Sequence, residues 1–283
     1  MALEKIEMIV EAIRARGSAV IAFSGGVDSA TLAALAYEAL GEKSLAVTIE
    51  SPVFPRQELE AAVQTACEIG IRHKTIRLSQ MDIPEFSANS INRCYVCKKQ
   101  ILESLLNFAE EIGYNSILEG TNFSEIYGEN RPGYRAVKEA GEKVFSPFVD
   151  FKVTKEEIRN IASDLSLSAA RRPSAACLAT RIPYGHTITE EALRKIETAE
   201  EFLFSLGFTQ LRVRFHDNLA RIELTQDELE EAFRKRVDIS RHLKSLGFDY
   251  VTLDLEGFRS GSMDEPHIRE EEKEEKGKKV KQN

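Results

Sequence analysis

One six-residue segment constrains this chain more than any other: Ser24-Gly25-Gly26-Val27-Asp28-Ser29, set between a short apolar run and a long Ala/Leu-rich one. Residues 18–23 (SAVIAF) predict a buried strand, and the following SATLAALAYEAL predicts a helix. Paired glycines between a strand and a helix N-terminus let the backbone approach a ligand closely and aim several N–H groups at one point, as phosphate binding requires. Ser24 and Ser29 add hydroxyl donors to the Gly25-Gly26-Val27 backbone. Asp28 has two candidate uses, holding Mg2+ or capping the helix. No Walker lysine follows the glycines, so this is not the loop associated with γ-phosphate transfer.

The alternation continues along the chain. LAVTIE at 45–50, HKTIRL at 73–78 and NSILEG at 115–120 read as strands, with EAAVQTACEIG and KKQILESLLNFAEEIG as helices between them. Strands alternating with helices predict an α/β fold with a doubly wound parallel sheet, closing at 115–120, whose ligands sit at the carboxyl ends of strands. Thr48 and Glu50 then end the second strand where adenine and ribose would lie, and Glu119, Gly120, Thr121 and Asn122 border the same crevice. Beyond Gly185 the pattern changes. A helix at about 189–206, strands at 211–216 and 219–224 around an Asp217-Asn218 turn, helical stretches across 227–246 and DYVTLDL predict a smaller C-terminal α+β domain. The expected division is 1–170, 171–263 and a charged tail at 264–283, too polar to bury a core and expected to be disordered.

Composition excludes several classes. With a net charge of -8 over 283 residues there is no global basic field, so no nucleic-acid partner is expected. The N-terminus reads as an amphipathic helix rather than a signal peptide, and no apolar run approaches a membrane span. The expectation is a cytoplasmic protein with no membrane partner, whose four cysteines are not disulfide staples.

Cys94 and Cys97, in NRCYVCK, stand three apart at the start of a predicted helix. They can share one side of one turn, where a helix N-terminus favours the thiolate. Cys177, in PSAACLATRIPYG, reads by itself as a small buried hydrophobe, and Cys67 as a core residue of its helix. A zinc site with a fourth ligand, a redox pair acting with a persulfide on Cys177, and idle thiols all remain open. Arg212, Arg214 and Arg221 fall on the predicted hairpin, where Arg212 and Arg214 share a face. They form either a solvated basic face or a phosphate site. Arg181 either holds a carboxylate or phosphate or pairs with a surface acid. Glu200 and Glu223 are either acid/base or metal-binding groups or surface glutamates, and His216 is expected to face solvent. Glu125 and Glu129 are loop acids near the crevice. Asp28, Arg181 and Glu200 are candidate catalytic residues.

The SGGVDS loop resembles that of the ATP pyrophosphatases. The wider chain resembles the LarE family of ATP-dependent sulfur transferases, which act in maturation of the nickel-pincer nucleotide cofactor. The resemblance is carried by that loop, NRCYVCK, Glu119 to Asn122, Arg131-Pro132-Gly133, residues 135–139, Ser146-Pro147, PSAACLATRIPYG, residues 211–214 with 220–223, and residues 257–264. It implies an adenine nucleotide α-hydrolase-like PP-loop fold using ATP and Mg2+. AMP would be placed on a carboxylate of pyridinium-3,5-biscarboxylic acid mononucleotide, pyrophosphate released, and AMP then replaced by sulfur. It also implies a homo-oligomer, a hexamer among the options, sulfur donation at Cys177, and contact of Arg212 and Arg214 with the substrate phosphate. Members with one cysteine sacrifice it to dehydroalanine. Cys94, Cys97 and Cys177 together resemble instead the class carrying a 4Fe-4S cluster, whose open iron takes sulfide or cysteine-derived sulfur. Three rivals share the loop: a tRNA thiolase, which needs a basic surface; an amidating ligase such as an NAD synthetase, which needs no cysteines; and a binding module that releases no pyrophosphate.

Overall fold

The structure, a computed structural model, describes residues 2–128, 132–173, 175–259 and 261–263. Glu129, Asn130, Arg131, Ser174, Ser260, Asp264 and the tail to 283 lie outside the described residues. The chain divides into two compact units, Met1–Cys177 and Leu178–Asn283, so the boundary falls seven residues beyond the expected 170 and leaves Cys177 on the first unit.

The first unit is built on a five-stranded parallel sheet in the order β3-β2-β1-β4-β5. Its strands are β1 (Ala19–Ala22), β2 (Ser44–Glu50), β3 (His73–Arg77), β4 (Ser116–Leu118) and β5 (Val144–Phe145). Val20 of β1 registers with Leu45 on one side and Ile117 on the other. Successive β1 side chains feed opposite layers: Ala19 and Ile21 join Ile9, Ile13 and Ile158 on one face, while Val20 joins Leu102, Leu105 and Ile117 on the other. With both faces covered, the strands read as apolar runs rather than alternations, and this is why they are visible in the sequence. β5 is the exception. Two residues carry no periodicity, so the sheet continues one strand past the expected end at 115–120.

Chain order runs outward from β1 through β2 to β3 and then returns to β4 on the other side. The strand order therefore reverses between β1 and β4, and in open α/β sheets ligands bind outside the carboxyl ends of strands at such a point. Residues 24–29 occupy the carboxyl end of β1. The helix Val27–Leu40 that follows is buried nearly all round, packed against the helices Ala2–Arg14, Arg56–Ile69 and Lys155–Asp164.

The second unit has the helix Glu190–Ser205, capped by the Thr189 side chain on the Ala192 N–H. The strands β6 (Leu211–His216) and β7 (Leu219–Leu224) follow, then two short helices and β8 (Tyr250–Leu253). β6 and β7 form the expected antiparallel hairpin, with Asp217 at φ 56° in its turn, and β8 adds parallel to β7. Leu203, Leu211, Val213, Ile222, Leu243 and Phe248 form its core. Among the described residues no helix is long and apolar enough to cross a membrane.

Candidate active site

The loop holds its shape through its own serines. The Ser29 hydroxyl donates to the Gly26 carbonyl at 3.1 Å and accepts from the Ser24 N–H at 3.2 Å, while the Ser24 hydroxyl accepts from the Gly26 N–H at 3.4 Å. Gly25 stands at φ +73°, and a Cβ there would meet the Ala62 Cα at 2.6 Å, so only glycine fits. Gly26 is the N-cap of Val27–Leu40, and among the described residues no side chain caps that helix end. Its first N–H groups, with the positive end of the helix dipole, therefore remain for an anion. Asp28 is thus not the cap. Its carboxylate accepts from the Lys155 ammonium and from Asn122 Nδ2 at 3.2 Å.

Gly120 leaves β4 against this loop, where a Cβ would lie 3.2 Å from the Ser29 nitrogen and 3.3 Å from the Asp28 carbonyl carbon. Next to it Glu119, 1% exposed, accepts from Lys98 Nζ at 3.0 Å, from Thr121 Oγ1 at 2.8 Å and from the Ser146 hydroxyl. Burial pushes its carboxyl up, but the Lys98 charge and the Ser146, Lys98 and Thr121 hydrogen bonds outweigh burial and hold it below the usual carboxylate range. On the other side of β1, Thr48 shares a 2.8 Å hydrogen bond with His73 Nε2, and Glu50 accepts from Arg77 Nε at 3.1 Å. Both end β2 as expected, yet their side chains are occupied by β3.

Lys155 and Arg172, whose Nη1 donates to the Gly25 carbonyl at 3.2 Å, carry no local sequence signal of their function. One trace exists. Thr154-Lys155-Glu156-Glu157 has the Thr-x-x-Glu spacing of a capping box, observed here in full, which fixes Lys155 as the first residue of its helix.

Cys94 and Cys97 open the helix Arg93–Glu111 as expected, but they do not share an exposure. Cys94 is exposed while Cys97 turns inward. Burial, then the charges of Cys177 and Cys94, push the Cys97 thiol up to about 12 against the opposing pull of Lys98 and Arg93. Desolvation thus overrides the helix N-terminus at this thiol. The three cysteines stand close enough to interact electrostatically. Among the described residues, however, no three His, Cys, Asp or Glu side chains converge into a set that could hold a metal ion. Cys67 is exposed rather than in the core, because Ala62, Thr65 and Ala66 form the buried stripe of its helix.

In the second unit, the alternatives that placed Arg181, Glu200 and Glu223 at the surface are corrected. Arg181 and Glu200 are 2% and 5% exposed and form a two-pronged pair, both contacts 2.9 Å, and Glu200 Oε1 also accepts from the Val213 N–H at 2.9 Å. Arg214 donates to the fully buried Glu223 at 2.7 Å, to Ser262 Oγ at 2.8 Å and to the Thr180 carbonyl at 3.1 Å. Arg221 reaches Glu223 at 3.2 Å and Asp254 at 3.3 Å. Arg212 differs. Among the described residues it forms no ion pair; Nη1 donates to the Leu211 carbonyl at 2.6 Å and its guanidinium lies 5.2 Å from the Phe258 ring centre. Burial first, then the Arg181 charge, lowers its pKa to about 10, with Arg214 adding to the effect and Glu200 and Glu223 opposing it. His216 is half-buried rather than solvent-facing, and its Nε2 is shielded with no hydrogen-bond partner among the described residues.

A parallel sheet whose switch point carries an uncapped, glycine-paired Ser/Asp loop without a Walker lysine defines an enzyme of the PP-loop ATP pyrophosphatase class. Comparison with known proteins agrees: the NAD synthase family model matches residues 2–101. An uncharacterised protein of Synechocystis sp. is 40% identical over 248 residues, 87% of this chain and 91% of its own. The pyridinium-3,5-bisthiocarboxylic acid mononucleotide synthase of Lactiplantibacillus plantarum is 33% identical over 258 residues, 91% of this chain and 92% of its own. An uncharacterised protein of Methanocaldococcus jannaschii is 35% identical over 243 residues, 85% and 90%. The chain belongs to the LarE family, that of the pyridinium-3,5-bisthiocarboxylic acid mononucleotide synthase.

Proposed function

We propose that this protein is an ATP-dependent sulfur transferase that adenylates a carboxylate of pyridinium-3,5-biscarboxylic acid mononucleotide and replaces the AMP by sulfur. The observation that carries this reading is the presence, in one unit, of a phosphate loop at the sheet switch point and of Cys97 with Cys94 and Cys177 near enough for their charges to act on it. In the first step a substrate carboxylate oxygen attacks the α-phosphorus, the α–β bridging bond breaks, and pyrophosphate leaves. The loop N–H groups and the end of Val27–Leu40 carry the charge of the departing phosphates. In the second a sulfur nucleophile adds to the acyl carbon and AMP departs with the carboxylate oxygen, leaving a thiocarboxylate. A carboxylate resists such attack until the adenylate supplies a leaving group. Arg212, a half-buried guanidinium with no ion-pair partner among the described residues, is assigned to the phosphate of the mononucleotide.

Asp28 offers a hard carboxylate for Mg2+ at the phosphate loop. Cys94, Cys97 and Cys177 are chemically the donor set for a 4Fe-4S cluster, soft thiolates that leave one iron open to a sulfur species, although their side chains are not gathered into a closed ligand set. Such a cluster would supply sulfur repeatedly, while Cys177 alone would supply it once. A homo-oligomer completes the reading.

The test is anaerobic purification followed by incubation with ATP, Mg2+ and the mononucleotide, with pyrophosphate, thiocarboxylate, iron and acid-labile sulfide measured. Pyrophosphate and thiocarboxylate without iron, and with Cys177 converted to dehydroalanine, would replace cluster delivery by sacrifice of Cys177. Absence of pyrophosphate defeats the whole assignment.

A further inference from the structure

Arg172 ties the root of the Cys177 segment to the phosphate loop. Its Nη1 donates to the Gly25 carbonyl at 3.2 Å, and its Nη2 spans both Glu58 oxygens at 3.2 and 3.3 Å. Gly25 is the loop residue held at positive φ against Ala62, and Ala62 and Glu58 belong to the same helix, Arg56–Ile69. The stretch leading to Arg172 is also clamped: Arg159 donates to the Ala170 carbonyl at 2.6 Å and to the Arg172 carbonyl at 3.4 Å. At Arg172 the backbone is extended, φ −71° and ψ 137°, as the following Pro173 demands. Cys177 follows five positions later, at most about 18 Å of extended chain away.

This bridge responds to what fills the loop. In the structure Arg172 spends one arm on a neutral carbonyl and the other on a carboxylate, with 28% of its side chain exposed. A triphosphate brings several negative charges to the neighbouring helix end, and at short range in a partly dry site such charges attract a guanidinium more strongly than a peptide carbonyl does. Any shift of the Arg172 guanidinium toward them pulls on the segment it anchors.

We propose that Arg172 is a positioning residue that couples nucleotide occupancy of the Ser24–Ser29 loop to the placement of Cys177. The inference rests on the reading that Cys177 takes part in sulfur delivery to an adenylated substrate.

The test uses the full chain and the probe α,β-methylene-ATP with Mg2+, which fills the loop without being cleaved between its α- and β-phosphates. Iodoacetamide labelling of Cys177, followed by peptide mass spectrometry, is expected to change about fivefold or more with the probe in the wild type, a typical size for coupling between sites. In R172M that ratio is expected to fall to near one. At saturating ATP, thiocarboxylate formed per pyrophosphate released is expected to drop about tenfold or more, a split that a merely structural role would not produce. A wild-type ratio near one, an R172M ratio equal to wild type, or equal losses of pyrophosphate and thiocarboxylate would overturn the proposal. If R172M does not fold, R172K decides. It keeps the charge but cannot span Gly25 and Glu58 together, so it is expected to lose most of the response, and full retention overturns the proposal. No pyrophosphate release by the wild type with ATP and mononucleotide defeats the sulfur-transferase reading itself; normal release with an unaltered R172M response defeats only this coupling.

Discussion

Lys155 and Asp28 form an ion pair that brings a cation to the first turn of the phosphate-loop helix from a helix 127 positions away in sequence. Without a Walker lysine in the loop, this ammonium is the group to follow when phosphates arrive, which would release Asp28 for the proposed Mg2+. K155M is therefore expected to raise the KM for Mg·ATP by about tenfold or more, since a hydrogen bond to a charged group contributes about 1.5–3 kcal/mol. Initial rates of pyrophosphate release against ATP concentration check it. An unchanged KM would mean that Lys155 only orients Asp28.

Two glycines separate fold from ligand binding. G25A places a Cβ 2.6 Å from the Ala62 Cα and 2.9 Å from its nitrogen, both backbone atoms, at a φ of +73°. The strained conformation alone costs about 1–3 kcal/mol, so G25A is expected to lower the melting temperature and abolish pyrophosphate release. G120A has no positive φ to oppose and meets Ser29 and Asp28 atoms at 3.2 and 3.3 Å. It is expected to melt near wild type and to bind ATP more weakly because it pushes on the loop. Calorimetry of both variants, with and without ATP, distinguishes these outcomes.

Glu119 gives a signed pH dependence. Its folded carboxyl is held below the usual range, so relative to an unfolded value of about 4.3 it contributes stability that is fully present above that value and lost as pH falls through the folded one. E119Q removes that contribution and weakens the contacts from Lys98, Thr121 and Ser146. The variant is expected to be about 1.5–3 kcal/mol less stable near neutrality, by the worth of hydrogen bonds to a charged group. The gap should stay constant between about pH 6 and 8 and narrow below about pH 4, as read by denaturant titration.

What the sequence made legible follows from the range of the interactions. The strand, the loop and the helix at residues 19–40 are local, and their apolar runs and glycine pair announce themselves. Two-residue β5 has no period to read, and its place is set only by pairing with Ile117 and Leu118. Lys155 and Arg172 look like ordinary charges in the sequence because Asp28 and Gly25 lie far away along the chain. Glu200 and Glu223 are unreadable for another reason. A buried glutamate is recognised by the arginines that neutralise it, and the two that make the closest contacts, Arg181 and Arg214, sit on other elements.

The pairing of Arg181 with Glu200 predicts a cost and its relief. R181M strands a buried carboxylate and is expected to destabilise by about 3–5 kcal/mol, whereas R181M/E200L removes both charges and is expected to recover much of that loss. Recovery falls short of complete because the Glu200 carboxylate also holds the Val213 N–H of β6. Urea melts of the two single variants and the double close the cycle. Additive losses would show that the pair is not coupled.

Arg212 carries the opposite sign. Burial and the Arg181 and Arg214 charges already work against its protonated form, and among the described residues no ion pair compensates. The substrate phosphate proposed above would account for a guanidinium kept under that penalty. R212M should therefore leave the melting temperature unchanged or raise it, while raising the KM for the mononucleotide by about tenfold or more through loss of a charge-assisted contact. R212K, with a point charge in place of the planar fork, should fall between. A fall in melting temperature with the KM unchanged would make Arg212 part of the fold and not part of the substrate site.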